Sequence, residues 1–436
     1  MFEQTALKTS PIWHPFTQAK TAPPPLKVLR GSGAVLELED GRQIIDCISS
    51  WWVNIHGHSQ PEIAQAIYEQ AQKLEHVMLA GFTHEPAEAL ARGLLKHLPA
   101  GLEHVFFSDN GTTAVEAAMK MAYQSWQNKG EDNRKKFIAF DQGYHGETVG
   151  AMSLGKTMPF FEPFRSMLFD IDVIPFPATW HGDTQVEERE NVSLSRLKSL
   201  LEAGAEKYVG IIVEPLIQGV AGMRICRAEF MQALDKLARE NDLLVIYDEV
   251  MTGFGRTGDW FACNKTGVTP DIICLAKGIS GGFLPLAVTI ATDEIYQAFY
   301  SDDLKQAFLH SHSYMGNALA CAAGNASLRI LERNFSACVD IETMHTAFIE
   351  KWIKGNKFLE KPRQCGTIAA FDVVTDGDTN YFNRISLPLR QEFLDMGFLI
   401  RPLGNTIYLM PPYCITYDQL ESAYKAISET VTVLAT

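Results

Sequence analysis

The chain has 436 residues, 46% of them hydrophobic and 21% charged, which is enough apolar material for more than one core. Its formal net charge of −14 argues against a nucleic-acid partner, because a phosphate groove needs clustered Lys and Arg. The expectation is a globular, multidomain protein with most carboxylates on a solvated surface.

The opening stretch, 1–15, has neither a basic leader nor an unbroken apolar run, and no segment approaches membrane-spanning length. A cytoplasmic protein without a membrane partner is therefore predicted. Eight cysteines are scattered with no Cys-x-x-Cys pair and no His cluster at zinc spacing, so they read as small core residues and predict neither disulfides nor a metal.

In chain order, Pro23-Pro24-Pro25 and a strand-like run at 34–38, closed by Asp40-Gly41, predict an extended, turn-rich start before a helix beginning near Pro61. Apolar runs at 105–108, 137–140, 208–213, 243–247 and 271–275 then alternate with helical patterns, the signature of a parallel α/β sheet. Between the first two, Val115, Ala118, Met119, Ala122 and Trp126 form a helical apolar stripe. Residues 180–191 are polar enough to predict a mobile loop. After a helical pattern at 317–331, strands are expected at 367–374 and 407–410, with helices at 387–396 and 417–433.

Three places carry chemistry. Ser108-Asp109-Asn110-Gly111-Thr112-Thr113 joins a strand to a helix, where free backbone N–H groups and the helix dipole favour a phosphate, although the same run also makes an ordinary turn and cap. The apolar run at 243–247 ends in Asp248, placing a carboxylate at the carboxyl end of a buried strand. A protonated pyridine nitrogen would suit it as partner; a helix cap or a salt bridge to Arg256 is the structural alternative. The run at 271–275 delivers Lys277 into the glycine-rich Gly278-Ile279-Ser280-Gly281-Gly282, where desolvation lowers a lysine's pKa enough to make it a nucleophile, though most lysines are merely solvated.

The order of these three features, together with Ile-Tyr-Asp-Glu-Val-Met-Thr-Gly-Phe-Gly-Arg-Thr-Gly at 246–258, resembles the signature of the class III, or omega, aminotransferases, and the resemblance covers nearly the whole chain. It implies pyridoxal 5'-phosphate as cofactor and fold type I of the α/β class: a large domain with a mostly parallel seven-stranded sheet, a small α+β domain built from both termini, and a homodimer with shared active sites. The corresponding division is 1–60 for the N-terminal contribution to the small domain, 61–331 for the cofactor-binding domain and 332–436 for the C-terminal small domain. Trp13-His14-Pro15-Phe16-Thr17, Ser49-Ser50-Trp51-Trp52, Gly143-Tyr144-His145-Gly146, Met315-Gly316-Asn317 and Tyr408-Leu409-Met410-Pro411-Pro412-Tyr413 look like the branch of that family that aminates 8-amino-7-oxononanoate in biotin synthesis. Adjacent tryptophans in a strand would face opposite ways, leaving one free to wall a pocket for a long aliphatic substrate.

By this resemblance Gly111 and Thr112 bind the cofactor phosphate, Tyr144 stacks on its ring, Asp248 pairs with its nitrogen, and Lys277 forms the Schiff base and moves the proton. His312 and Ser313 match the place where the neighbouring subunit adds a hydroxyl to the phosphate. Trp51, Trp52, Phe16, Tyr144, Glu147, Lys277, Ser311 and Arg401 fall at substrate-binding positions. The family usually has Tyr at Phe16, Asp at Glu147 and Pro at His312, which bears on donor recognition more than on cofactor chemistry. Trp51 favours S-adenosylmethionine as donor, whereas Phe16 and His312-Ser313-Tyr314 look more like the lysine-using branch. The rival readings are another class III enzyme for 4-aminobutyrate or ornithine, against which Trp51-Trp52 and Pro411-Pro412-Tyr413 stand, and a scaffold without turnover, against which Lys277, Asp248 and Tyr144 together stand.

Overall fold

The computed structural model describes residues 11–376, 379 and 381–434. The first ten residues, on which part of the leader expectation falls, lie outside the described residues. Apolar runs bounded by turns form seven strands in one sheet: β1 Leu102–Ser108, β2 Lys136–Phe140, β3 Asp172–Ile174, β4 Tyr208–Val213, β5 Leu244–Asp248, β6 Ile272–Leu275 and β7 Ala287–Thr292. Their spatial order is β1-β7-β6-β5-β4-β2-β3. β7 runs antiparallel to both β6 and β1, and every other pairing is parallel. Every residue of β4, β5 and β6 is buried, as a sheet covered on both faces requires.

Helix α1, Gly111–Asn128, crosses the sheet behind β1 and buries Val115, Ala118, Met121, Ala122 and Trp126, with Met119 half-buried at the stripe's edge. The chain ends share structure. Val28–Ser32, Val35–Leu38 and Gln43–Asp46 form antiparallel neighbours, and Phe398–Leu399 adds to Gln43–Asp46 in parallel. A second small sheet pairs Leu359–Cys365, Ile368–Val373 and Thr406–Leu409, beside the helices Ser386–Asp395 and Tyr417–Leu434.

One expectation is overturned in part. Residues 180–185 are a turn-rich loop as expected, but 186–191 are not, because the helix Val186–Glu202 begins there, and three of the charged side chains in the stretch are paired. Asp183 accepts from Thr179 and pairs with Arg189, while buried Glu190 meets Arg227 at 2.6 Å. Their polarity therefore reflects ion pairing on a helix start. Seven of the eight cysteines are buried, Cys414 is exposed, and all are free. Among the described residues no helix is long and apolar enough to cross a membrane.

Candidate active site

The carboxyl ends of β1, β2, β4, β5 and β6 open on one cavity of about 650 Å³, the edge where parallel α/β sheets bind ligands. Gly111 and Thr112 follow β1, Tyr144 and Glu147 follow β2, Glu214 follows β4, Asp248 ends β5 and Lys277 follows β6; all seven line the cavity.

At the start of α1, Asn110 and Thr113 make a reciprocal cap: the Thr113 N–H donates to Asn110 Oδ1 at 3.1 Å and the Asn110 N–H to Thr113 Oγ1 at 3.2 Å. This satisfies the cap reading but leaves the N–H groups of Gly111 and Thr112 without an acceptor among the described residues, aimed where a phosphate is favoured. A Cβ on Gly111 would stand 2.5 Å from Val250 Cγ1, so only glycine fits there.

Asp248 faces no cation from Arg256, whose buried guanidinium donates to the carbonyls of Pro411 at 2.7 Å and Trp52 at 3.4 Å. The salt-bridge alternative for Asp248 is thus removed, while the capping alternative survives only as a local turn contact. Instead Oδ2 lies 2.8 Å from Nδ1 of buried His145, and Oδ1 accepts from the Val250 N–H at 3.1 Å. An ionised carboxylate only accepts, so Nδ1 carries the proton in that pair. Glu214 accepts the backbone N–H groups of Tyr144 and Gly219, each at 2.9 Å; burial pushes its pKa up to about 7, with His145 opposing and Asp248 adding to the shift.

Lys277 takes up a left-handed φ of 47° as the chain leaves β6. Among the described residues its Nζ has no hydrogen bond or ion pair, and it sits 4.9 Å from the centre of the Trp52 ring. Burial lowers its pKa, against opposing pulls from Asp248 and Glu214. Tyr144 donates to Glu147 Oε1 at 3.1 Å, and burial, reinforced by that carboxylate, raises its phenol pKa, so the phenol stays neutral.

The paired tryptophans do not alternate along a strand. Ser49, Ser50, Trp51 and Trp52 form one left-handed turn with φ of 48°, 43°, 74° and 77°, a conformation costing about 1–2 kcal/mol per residue. Two contacts distant in sequence and one local one hold it: Ser49 Oγ donates to Met410 O at 2.9 Å and Trp52 Nε1 to the Tyr408 hydroxyl at 3.0 Å, while Ser50 Oγ donates to nearby Asp46 Oδ2 at 2.7 Å. The turn buries Trp52 and leaves Trp51 41% exposed, so both line the cavity at different depths. Phe16 lies beside Trp51 at 5.8 Å, and the Arg401 guanidinium stacks on the Trp51 ring at 4.4 Å.

The cavity therefore gathers Phe16, Trp51, Trp52, Gly111, Thr112, Tyr144, Glu147, Asp248 and Lys277, with Arg401 adjoining through Trp51. Ser311, His312 and Ser313 do not line it; Ser311 and Ser313 are exposed, and His312 Nε2 stands 3.9 Å from Asp109 Oδ1. Two residues escaped the sequence reading. Glu214 ends an apolar strand just as Asp248 does, a signal that could have found it; His145 sits inside a quoted segment but was given no role.

A family model described as Aminotransferase class-III matches residues 16–431. A protein from Synechococcus elongatus named adenosylmethionine-8-amino-7-oxononanoate aminotransferase is 49% identical, over 96% of this chain and 97% of its own length. The crystal structure of the protein of that name from Methanocaldococcus jannaschii superposes with a TM-score of 0.89 at 35% identity, covering 97% of both chains. An amine transaminase from an uncultivated Pseudomonas species, solved in a PLP-bound form, superposes with a TM-score of 0.88 at 27% identity, over 97% of this chain and 99% of its own.

Proposed function

The chain belongs to the class III aminotransferases, and from that premise we propose that it transfers an amine from S-adenosylmethionine to 8-amino-7-oxononanoate, giving 7,8-diaminononanoate for biotin synthesis. The observation that carries this reading is a buried floor lysine, without a hydrogen bond among the described residues, beneath an apolar wall, Phe16 and Trp51, that ends in the Arg401 guanidinium. An aliphatic chain ending in a carboxylate matches that sequence of surfaces. The relatives named for the same reaction support it.

The residues present fit pyridoxal phosphate. The unused N–H groups of Gly111 and Thr112 would hold its phosphate, Asp248 its ring nitrogen, Tyr144 one ring face, and Lys277 its aldehyde carbon. When bound, the cofactor supplies an electron sink for the carbon that loses its proton and carries the amine from donor to acceptor. The chain's own residues do the rest. His145 on one oxygen and the Val250 N–H on the other fix the Asp248 carboxylate where it lines the cavity. Burial raises the neutral fraction of the Lys277 amine, which takes the proton from the substrate carbon and returns it. Glu147 orients the Tyr144 phenol, and the left-handed turn fixes Trp51 as a platform for Arg401 and for a cationic donor.

We assign Ser311, His312 and Ser313 to the partner's cavity in a cytoplasmic homodimer, since none of them lines this chain's own cavity and the two serines are exposed, although His312 borders its rim at Asp109. Incubating the holoenzyme with 8-amino-7-oxononanoate and either S-adenosylmethionine or lysine, with product mass as readout, tests the proposal. Diamine formed with S-adenosylmethionine supports it; diamine formed with lysine alone moves the donor to the second reading, which Phe16 favours by lacking a phenol; no diamine with either refutes it.

A further inference from the structure

The stretch from Trp13 to Leu26 is largely exposed, and among the described residues its hydrogen bonds run within it, as from Thr17 Oγ1 to Pro15 O and from the Thr21 and Ala22 N–H groups to Gln18 O. Yet Pro15 and Phe16 form part of the cavity wall. What seats them is aromatic. Phe16 meets Phe160 edge-on at 6.0 Å and Tyr381 at 6.2 Å, and those two rings meet each other at 5.2 Å, closing a triangle. The three rings come from distant parts of the chain. Phe160 belongs to the 3-10 helix Pro159–Met167 and also lies 6.1 Å from the Tyr144 ring, while Tyr381 lies between the strand Ile368–Val373 and the helix Ser386–Asp395.

We propose that Phe160 and Tyr381 are positioning residues that form a socket for Phe16, making residues 13–26 a latched cover over the cavity that sets how tightly the apolar chain of the keto substrate is held. The assignment rests on the acceptor proposed above. Phe16 is 45% exposed and has a left-handed φ of 49°, so neither burial nor a preferred backbone conformation fixes it. Edge-to-face ring contacts supply that restraint in a directional form. Without a phenol, Phe16 is held by its ring faces and edges, so Phe160 and Tyr381, together with Trp51 at 5.8 Å in the cavity wall, decide where it stands. Because Phe160 also touches Tyr144, the position of the cover is tied to the wall against which the reaction takes place.

The test uses the full-length holoenzyme with Phe160→Leu, Tyr381→Leu and Tyr381→Phe. Trypsin cleavage at Lys20 and Lys27, followed by mass spectrometry, reports the cover without any turnover. Loss of one or two ring contacts is expected to speed cleavage in both leucine variants and to raise KM for 8-amino-7-oxononanoate about tenfold with kcat nearly unchanged. Tyr381→Phe, which keeps the ring, should behave as the parent. Cleavage at the parental rate in both leucine variants, or a fall in kcat with KM unmoved, would overturn the socket. Failure of the parent to aminate this acceptor would instead strike the proposed function, and the cleavage comparison would still decide the socket on its own.

Discussion

Replacing His145 with Gln isolates what holds Asp248 in place. The His145–Asp248 contact is 2.8 Å long between side chains 1% and 5% exposed, so solvent does not screen it. Without it, Asp248 keeps only the Val250 N–H at 3.1 Å, on its other oxygen. A hydrogen bond to a charged group is worth about 1.5–3 kcal/mol; expressed in the transition state, that slows each half-reaction roughly 10- to 150-fold. Gln carries its amide nitrogen near the Nε2 position and cannot replace the Nδ1 donor, whereas Asn carries it near Nδ1 and should recover much of the rate. Stopped-flow absorbance of the cofactor band, with each substrate alone, measures the two half-reactions. In an Asp248→Asn background the His145→Gln effect should largely vanish, since the two residues act as one unit. Rates within about threefold of the parent, or additive losses in the double variant, would refute this role for His145.

Three further outcomes follow from the geometry. Gly111→Ala places a Cβ 2.5 Å from Val250 Cγ1, and overpacking of about 1–3 kcal/mol should weaken cofactor binding about tenfold or more, measured by equilibrium dialysis, with Val250→Ala restoring much of it. Arg401→Ala should slow the keto-acid half-reaction far more than the donor half-reaction, because the guanidinium stacked on Trp51 is the cation beside the apolar wall; equal losses in the two stopped-flow half-reactions would contradict that. Burial lowers the His345 pKa to about 4, against the opposing pull of the Thr367 carbonyl, 3.1 Å from Nε2. The unfolded chain then binds the extra proton as pH falls below about 6.5, so stability is lost on acidification. His345→Gln should remove about 2 kcal/mol of the loss between pH 7.5 and pH 5, read from urea unfolding at both. An unchanged pH slope would mean that folding does not lower the His345 pKa.

The residues that end apolar runs were legible in the sequence. Asp248 and Lys277 stand where a buried strand must stop, and the Asn110–Thr113 cap announces the helix that presents Gly111 and Thr112. The left-handed turn at Ser49–Trp52 was not legible, because it contains no glycine and is imposed by Met410 and Tyr408, more than three hundred positions away. β7 is not among the strands read from the sequence, and its antiparallel insertion between β1 and β6 depends on partners that local periodicity does not encode. The polar stretch at 180–191 misled because paired charges and solvated charges look alike in sequence. The Phe160–Tyr381 socket is invisible for a similar reason: its rings come together only through the fold.

The role proposed for Lys277, holding the cofactor, can be tested directly by reducing the holoenzyme with borohydride, digesting it and sequencing the cofactor-bearing peptide by mass spectrometry. The added mass is expected on Lys277 and should be lost in Lys277→Ala; a cofactor fixed to any other lysine of the parent protein would contradict that role.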